Sequence, residues 1–144
     1  LSLHDALPIY QAYWERNWNC AVTTLRILAE VFEVALDQQV LDAALGQDGA
    51  GGYGAHCFMV EGALMFIGVL GEAWELSDDE VVDMCYNLAG AFESGFGSLL
   101  CRELRPAGFN PDNPPHMCEE LTCSAIQFDV HFIAEELGER RGRP

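Results

Sequence analysis

The stretch GYGAHCFMVEGALMFIG, residues 52–68, contains the pattern that decides the fold: a glycine-rich loop, one cysteine and an apolar run. The apolar run covers residues 58–70 and includes the charged residue Glu61. A membrane-spanning helix needs about 20 apolar residues, so this shorter run predicts a helix over residues 57–71 and no membrane insertion. The preceding segment, residues 46–54, has five glycines in nine residues, which disfavours regular structure there.

Outward from this helix, hydrophobic spacing and capping signals predict four more helical segments. Apolar residues recur at steps of three and four over residues 10–32, and Asp37 is placed to cap a short helix over residues 38–45. Ser77 and Glu80 have the spacing of a capping box. The helix that follows is predicted to bury one stripe of residues: Val82, Cys85, Ala89, Phe92, Phe96 and Leu99. A last helix is predicted over residues 116–137, ending at Gly138.

Strand signals are nearly absent from the sequence, which shows neither a clear alternation of apolar and polar residues nor a hairpin turn between β-rich segments. The sequence therefore predicts an all-α, single-domain bundle of about five helices over residues 10–138. Residues 1–9, LSLHDALPI, resemble read-through of a sequencing adapter and are expected to be an artefact or a disordered start. Residues 139–144 are expected to form a frayed tail.

The composition restricts the classes of partner. The chain has 144 residues, half of them apolar, with 23 acidic residues against 7 arginines, no lysine and a formal charge of −16. Phosphate surfaces repel such a chain, which argues against binding to nucleic acid or to an anionic membrane. The apolar fraction is too high for a disordered protein, so a core is expected. No secretory signal pattern opens the sequence, and a cytoplasmic location is the expectation.

Six cysteines are more than an intracellular chain of this size ordinarily has: Cys20, Cys57, Cys85, Cys101, Cys118 and Cys123. Structural disulfides, a metal site and reactive thiols are the three interpretations. The absence of Cys-x-x-Cys argues against common zinc sites and c-type haem attachment. Cys118 and Cys123 are the closest pair, but five helical residues place them about 140° and 8–9 Å apart, beyond the ~7 Å limit for a disulfide.

The surroundings of these cysteines are more specific. The segments WNCAVTTL around Cys20, HCFMVEGALM around Cys57 and FGSLLCREL around Cys101 precede a last cysteine-containing helix that ends in IAEEL. Together they resemble the C_GCAxxG_C_C family of small helical redox-active proteins, which is defined by four separated cysteines and a Cys-Gly-Ala-x-x-Gly element. The resemblance covers residues 18–137, and it implies a helical fold and a redox function.

The resemblance assigns the four family cysteines to Cys20, Cys57, Cys101 and Cys123, with Cys118 as the competing fourth position. Gly62 matches the closing glycine of the central element and, with Cys118, is a candidate cofactor-binding residue. Phe58 and Met59 replace the family's Gly-Ala, which leaves the backbone less able to approach a cofactor there.

The residues themselves support part of this assignment. Cys57 follows the glycine loop at a predicted helix start, where backbone N–H groups and the helix dipole favour the thiolate. Because lysine is absent, Arg26, Arg102 and Arg105 are the candidate cations for the thiolates. Glu61 needs a partner within its apolar run, and Arg102 is one candidate.

Buried structural roles are the alternative for every one of these residues. Free cysteine is among the most buried residue types, and Cys85, on an apolar stripe, is expected to be a core residue. His56 and His116 adjoin cysteines and are secondary candidates as metal ligands or proton partners. His131 is expected to be structural, and His4 falls in the set-aside start.

The sequence therefore predicts a redox protein with two forms of chemistry left open. Cys20, Cys57, Cys101 and Cys123 either hold an iron–sulfur cluster, the slightly preferred form, or carry thiol–disulfide electron transfer. The partner is expected to be another redox protein, and a homodimer is considered. The alternative from another class is a structural or interaction module whose cysteines are core residues or disulfide staples.

Overall fold

The structure is a computed structural model that describes residues 11, 15–16, 18–105, 112 and 118–142. Six helices occur within these residues: α1 (Cys20–Val31), α2 (Gln38–Ala44), α3 (Phe58–Ala73), α4 (Asp78–Phe96), α5 (Cys101–Leu104) and α6 (Glu119–Arg141). The described residues contain no strand, and five of the helices have seven or more residues. The predicted all-α bundle is confirmed, while the predicted artefact at residues 1–9 lies outside the described residues.

Helix α3 forms the centre of the bundle. It packs against α1, α4 and α6, and α6 also packs against α1 and α4. Its buried side chains include Phe58, Met59 and Phe66, so the two residues that replace the family's Gly-Ala are part of the core. None of the described helices is both long and apolar enough to cross a membrane.

Capping side chains set where two helices begin. The Asn19 side chain accepts a hydrogen bond from the Val22 backbone N–H at 2.9 Å, so α1 begins at Cys20 instead of continuing from the segment before it. At the start of α4, the Ser77 hydroxyl accepts from the Glu80 N–H and the Glu80 carboxylate accepts from the Ser77 N–H. The predicted capping box is confirmed.

The buried stripe of α4 differs from the predicted one. Val82 is 64% exposed, and the fully buried residues are Met84, Leu88 and Phe92, which recur every four positions. Val82 was predicted to be buried from its hydrophobicity and spacing, but the positions of α3 and α6 determine which side of α4 is buried. Cys85 is half-buried at the edge of the interface, with its thiol 3.8 Å from a carbonyl of α3.

Helix α6 extends beyond the predicted stop at Gly138. It continues to Arg141, three residues into the segment that was expected to fray. Arg140 pairs with Glu136 at 3.0 Å, and the Arg141 guanidinium lies 4.0 Å from the centre of the Trp74 ring. These contacts offset the small loss of helix stability that Gly138 causes inside α6.

The glycine-rich segment between α2 and α3 forms a left-handed turn over Gly49–Gly52. All four residues of this turn have positive φ, including Ala50 at 57°. The prediction that residues 46–54 have no regular structure is wrong for these four residues, which form one left-handed helical turn. A glycine-rich sequence adopts such a run of angles at low energy.

Candidate functional site

Four of the six cysteines lie at the N-terminal ends of helices. Cys20 is the first residue of α1, Cys57 is the N-cap of α3, Cys101 is the first residue of α5 and Cys118 is the N-cap of α6. Three of these helices have 12 or more residues, whereas α5 is a single turn. Backbone N–H groups at a helix start favour negative charge, so these four positions suit thiolate chemistry better than a helix interior does.

A short antiparallel bridge holds Cys57 and Cys101 next to each other. The Cys57 N–H donates to the Leu99 carbonyl at 2.8 Å, and the Cys101 N–H donates to the Ala55 carbonyl at 2.7 Å. Cys57 is therefore opposite Leu99, and Cys101 lies two residues further along the same segment, on the same face. Such diagonal neighbours have Cα atoms about 7–8 Å apart, at or just beyond the ~7 Å limit for a disulfide, so a bond between these two cysteines requires the backbone segments to move slightly closer.

Asp48, directly before the left-handed turn, contacts Cys20, and Gly49 in the turn lies against Cys101. The Cys20 thiol donates to Asp48 Oδ1 at 3.1 Å, directly before the turn. A Cβ added to Gly49 would lie 3.3 Å from the Cys101 sulfur, and Gly49 has a φ of 54°. The turn can pass this close to Cys101 only because Gly49 has no side chain and tolerates positive φ.

Electrostatic contacts connect the four thiols. Burial raises the pKa of Cys57 to about 12, with smaller contributions from the neighbouring Cys101 and Cys118. Burial also raises the pKa of Cys20 well above its ordinary value, and Asp48, Cys57 and Cys101 raise it further. The structure therefore brings together Cys20, Cys57, Cys101 and Cys118, which we call the thiol cluster.

Two local features oppose the effect of burial on the pKa values of the thiols in the cluster. The Met59 N–H in the first turn of α3 lowers the pKa of Cys57, although burial has the larger effect. Burial raises the pKa of Cys101 and of Cys118, and the positive charge of Arg105 lowers both. Of the three arginines predicted as candidate cations, Arg105 is thus the one that acts on two members of the cluster.

The fourth predicted cysteine has a different environment. Cys123 is half-buried inside α6 and packs against the hydrophobic core, five residues after Cys118. Five residues correspond to about 140° around the helix. The two residues therefore face different sides of α6, and Cys118 lies in electrostatic contact with Cys57 and Cys101.

The remaining predicted residues lie around the cluster or apart from it. Gly62 is buried where a Cβ would meet the Phe58 ring and Thr24 on α1, so it permits close packing of α3 on α1. Glu61 pairs with His56 at 3.4 Å, so its partner is that histidine and not the exposed Arg102. His131, for which a structural role was predicted, is exposed on α6. His4 and His116 lie outside the described residues.

One buried group was missed by the sequence analysis. Asp129 on α6 is completely buried, and burial raises the pKa of its carboxyl well above the usual range. An ionised Asp129 also raises the pKa of Cys57, so this carboxyl is electrostatically coupled to the thiol cluster. The signal was present in the sequence, because Asp129 takes a core position between Ile126 and Ile133 on the helix.

The cysteines are candidate donors for a metal site. The described residues include all six cysteines, and these six form no disulfide with one another. Within those residues, no three or more histidine, cysteine or acidic side chains are arranged to hold a metal ion. Four cysteines are the usual donor set of an iron–sulfur cluster, so the donor chemistry fits such a group and the present arrangement does not.

Comparison with known proteins agrees with the pattern of cysteines. A family model described as "Putative redox-active protein (C_GCAxxG_C_C)" matches residues 18–133, well over half of the chain. The chain belongs to the C_GCAxxG_C_C family. In this member of the family, the matched region contains all four residues of the thiol cluster. No curated protein and no solved structure gives a significant match to the chain.

Proposed function

We propose that this member of the C_GCAxxG_C_C family transfers electrons by thiol–disulfide exchange at the thiol cluster. The observation that carries the proposal is the convergence of Cys20, Cys57, Cys101 and Cys118 from four helix N-termini. The other two cysteines, Cys85 and Cys123, lie in helix interiors. The family description supports a redox function in general terms. We accordingly propose Cys118 in place of Cys123 as the fourth functional cysteine.

Cys57 and Cys101 are the proposed exchanging pair, because the antiparallel bridge holds them on one face. The Cys101 thiolate attacks a disulfide of the partner, R–S–S–R′, so that a mixed disulfide forms and R–S⁻ leaves. The Cys57 thiolate then attacks the Cys101 sulfur and R′–S⁻ leaves. The two protons of the protein thiols end on the two leaving thiolates. Two protein thiols are thereby oxidised to one disulfide, and the partner disulfide is reduced to two thiols.

The local charges support these roles. Cys101 is 9% exposed and begins a single turn of helix, whereas Cys57 is 3% exposed and begins a long helix. Arg105 favours the thiolate of Cys101, which is the attacking sulfur in the scheme. The Met59 N–H favours the thiolate of Cys57, the sulfur that leaves when the disulfide is reduced. Cys20 and Cys118 flank the pair and provide a second pair of thiols.

An iron–sulfur cluster held by Cys20, Cys57, Cys101 and Cys118 is the second candidate. Four separate cysteines on four elements are a suitable donor set for such a cluster, which would supply one-electron transfer. The thiols described here do not form a metal-binding arrangement, so thiol–disulfide exchange is the better supported form. The partner is proposed to be a redox protein, and its positively charged surfaces would favour association with a chain of charge −16.

One preparation tests both forms and the structural alternative. The protein is purified anaerobically, its iron and sulfide are measured, and its thiols are counted before and after treatment with a small-molecule disulfide. Exchange predicts no iron and the loss of two thiols per disulfide formed, with peptide mapping that links Cys57 to Cys101. Stoichiometric iron and sulfide with broad visible absorbance would instead establish the cluster.

Matched variants assign the chemistry to residues. Cys101→Ser is expected to abolish formation of the mapped disulfide, whereas Cys85→Ser is expected to leave it unchanged. Cys118→Ser and Cys123→Ser separate the two assignments of the fourth cysteine, since only the first is expected to change the thiol reactivity of the cluster. A protein that contains no iron and keeps all six thiols under the disulfide would establish the structural role and refute both redox forms.

A further inference from the structure

Asp48 lies beside two thiols of the cluster. The Cys20 thiol donates a hydrogen bond to Asp48 Oδ1 at 3.1 Å. Gly49, the next residue, lies against the other thiol, because a Cβ added to it would be 3.3 Å from the Cys101 sulfur. Consecutive Cα atoms are about 3.8 Å apart, so one carboxylate is held near both sulfur atoms. Burial is the main reason that the pKa of Cys20 and of Cys101 is raised, and the charge of Asp48 raises both further.

A structural role does not account for the side chain of Asp48. The residue is the N-cap of the left-handed turn, but its side chain makes no capping hydrogen bond. It is exposed, and the large apolar side chains on either side of it, Leu45 and Tyr53, are 64% and 78% exposed. In the part of the chain that the structure describes, the Asp48 carboxylate is a negative charge without an ion-pair partner, at an open surface next to the cluster.

Arg105 acts on the cluster with the opposite sign and on a different part of it. It lowers the pKa of Cys101 and of Cys118, against the larger effect of burial on each. At Cys118 the effect of Arg105 exceeds that of Asp48, whereas at Cys101 the effect of Asp48 is the larger of the two. At Cys20 the hydrogen-bonded Asp48 carboxylate has the largest effect after burial. The negative side of the cluster is therefore the side of Cys20 and of Cys101, the attacking sulfur in the proposed exchange.

We propose that Asp48 selects the substrate of the thiol cluster, and that this substrate is a partner-protein disulfide flanked by lysine or arginine. The inference rests on the proposed thiol–disulfide function and names the chemistry of its substrate. In the exchange, the Cys101 sulfur bonds to one sulfur of the substrate, and the other sulfur leaves with the electron pair of the S–S bond and takes a proton. The Cys57 sulfur then displaces the bound half, so two protein thiols become one disulfide and the substrate disulfide becomes two thiols. Asp48 attracts the positive group of the substrate while Cys101 attacks, and it makes and breaks no bond itself.

Three small disulfides of different charge test this selectivity. Cystamine carries two ammonium groups, hydroxyethyl disulfide is neutral, and dithiodipropionate carries two carboxylates. The rate at which each reagent oxidises Cys57 and Cys101 is measured by thiol counting and peptide mapping at neutral pH and low salt. The quantity compared is the ratio of the cystamine rate to the dithiodipropionate rate, which we call the charge ratio. Intrinsic differences between the two reagents cancel when the charge ratios of two variants are compared.

Asp48→Asn is expected to lower the charge ratio about tenfold or more. Two unit charges about 4 Å apart in water change a rate by a factor of about five, and the variant loses both the attraction of one reagent and the repulsion of the other. Asp48→Glu keeps the charge and is expected to keep most of the ratio. Asp83→Asn, which removes an exposed charge of α4, is expected to leave the ratio unchanged. The rate with the neutral disulfide shows separately how far Asp48→Asn alters the reactivity of the thiols themselves.

The outcomes separate this inference from the proposed function. A charge ratio that is the same in Asp48→Asn and in the wild type, or that falls equally in Asp83→Asn, would overturn the role of Asp48 and leave the exchange itself intact. If no reagent oxidises the cluster, the proposed function fails, and the charge preference is measured from the alkylation of Cys101 by bromoethylamine and by iodoacetate. A fall in the ratio of these two alkylation rates in Asp48→Asn would support the electrostatic selection by Asp48, and an unchanged ratio would refute it.

Discussion

Replacing Asp129 with alanine is expected to stabilise the protein, although the residue is completely buried. The buried carboxyl has no hydrogen-bond partner in the described structure, and a polar group in that position costs about 1–3 kcal/mol. The substitution leaves a cavity the size of a carboxyl group, which costs under about 1 kcal/mol at ~24 cal/mol per Å³. The net expected gain in the free energy of unfolding is therefore about 0.3–2.3 kcal/mol while Asp129 is protonated in both states.

The gain is expected to grow with pH. Burial raises the pKa of Asp129 in the folded state well above its unfolded value of about 4. Between these two values the folded protein binds one more proton than the unfolded chain, so wild-type stability falls as the pH rises. The fall is at most about 1.4 kcal/mol per pH unit, and it ends once the pH exceeds the folded pKa. Asp129→Ala removes this proton-linked loss.

Denaturant unfolding under reducing conditions measures the difference at pH 5, 6, 7 and 8. The wild type, Asp129→Ala and the exposed-site control Asp83→Ala are compared at each pH. The control is expected to differ from the wild type by no more than about 0.5 kcal/mol at every pH. If Asp129→Ala is less stable than the wild type throughout, or if its advantage does not change with pH, then the carboxyl has partners in solution and the reasoning is wrong.

Three further results are expected from unfolding measurements. Gly49→Ala should destabilise the protein by about 1–2 kcal/mol, because φ is positive and the added Cβ meets the Cys101 sulfur, whereas Gly68→Ala in open space on α3 should be neutral or stabilising by up to about 1 kcal/mol. Ser77→Ala should cost about 1 kcal/mol through loss of the capping box, measured as a lower denaturant midpoint. Stability should fall as the pH rises from about 9 towards 12, because the pKa of Cys57 is raised to about 12 on folding, and this fall should be smaller in Cys57→Ser.

Most of the fold could be predicted from local sequence signals. The capping box at Ser77, the apolar helix after Cys57 and the glycine-rich loop are each determined by residues within a few positions of one another. The prediction failed at Val82 and at the end of α6, because contacts between distant segments determine the exposure of Val82 and the length of α6. Exposure of Val82 depends on which side of α4 faces its neighbours, and the last turn of α6 depends on contacts such as that of Arg141 with Trp74.

The candidate site was predictable only in part for the same reason. Cys57 at a helix start follows from its own neighbours, but its position beside Cys101 depends on backbone hydrogen bonds between segments more than 40 residues apart. The contact of Asp48 with Cys20 depends on the path of the left-handed turn. The choice between Cys118 and Cys123 depends on where α6 begins and which way it faces. Such relations are properties of the packed molecule and have no signature in local spacing.

The helix N-termini also explain how a chain that has a charge of −16 and no lysine can stabilise thiolates. An acidic surround raises thiol pKa values, and Arg105 is one positive side chain that opposes this for Cys101 and Cys118. Each long helix contributes about half a positive charge at its start, and α1, α3 and α6 all begin at a cysteine of the cluster. Because these partial charges belong to the backbone, they remain fixed when the net charge of the surface changes. Burial nevertheless raises the pKa of all four thiols of the cluster, so in the proposed exchange the attacking thiolate is a minor species whose population rises with pH.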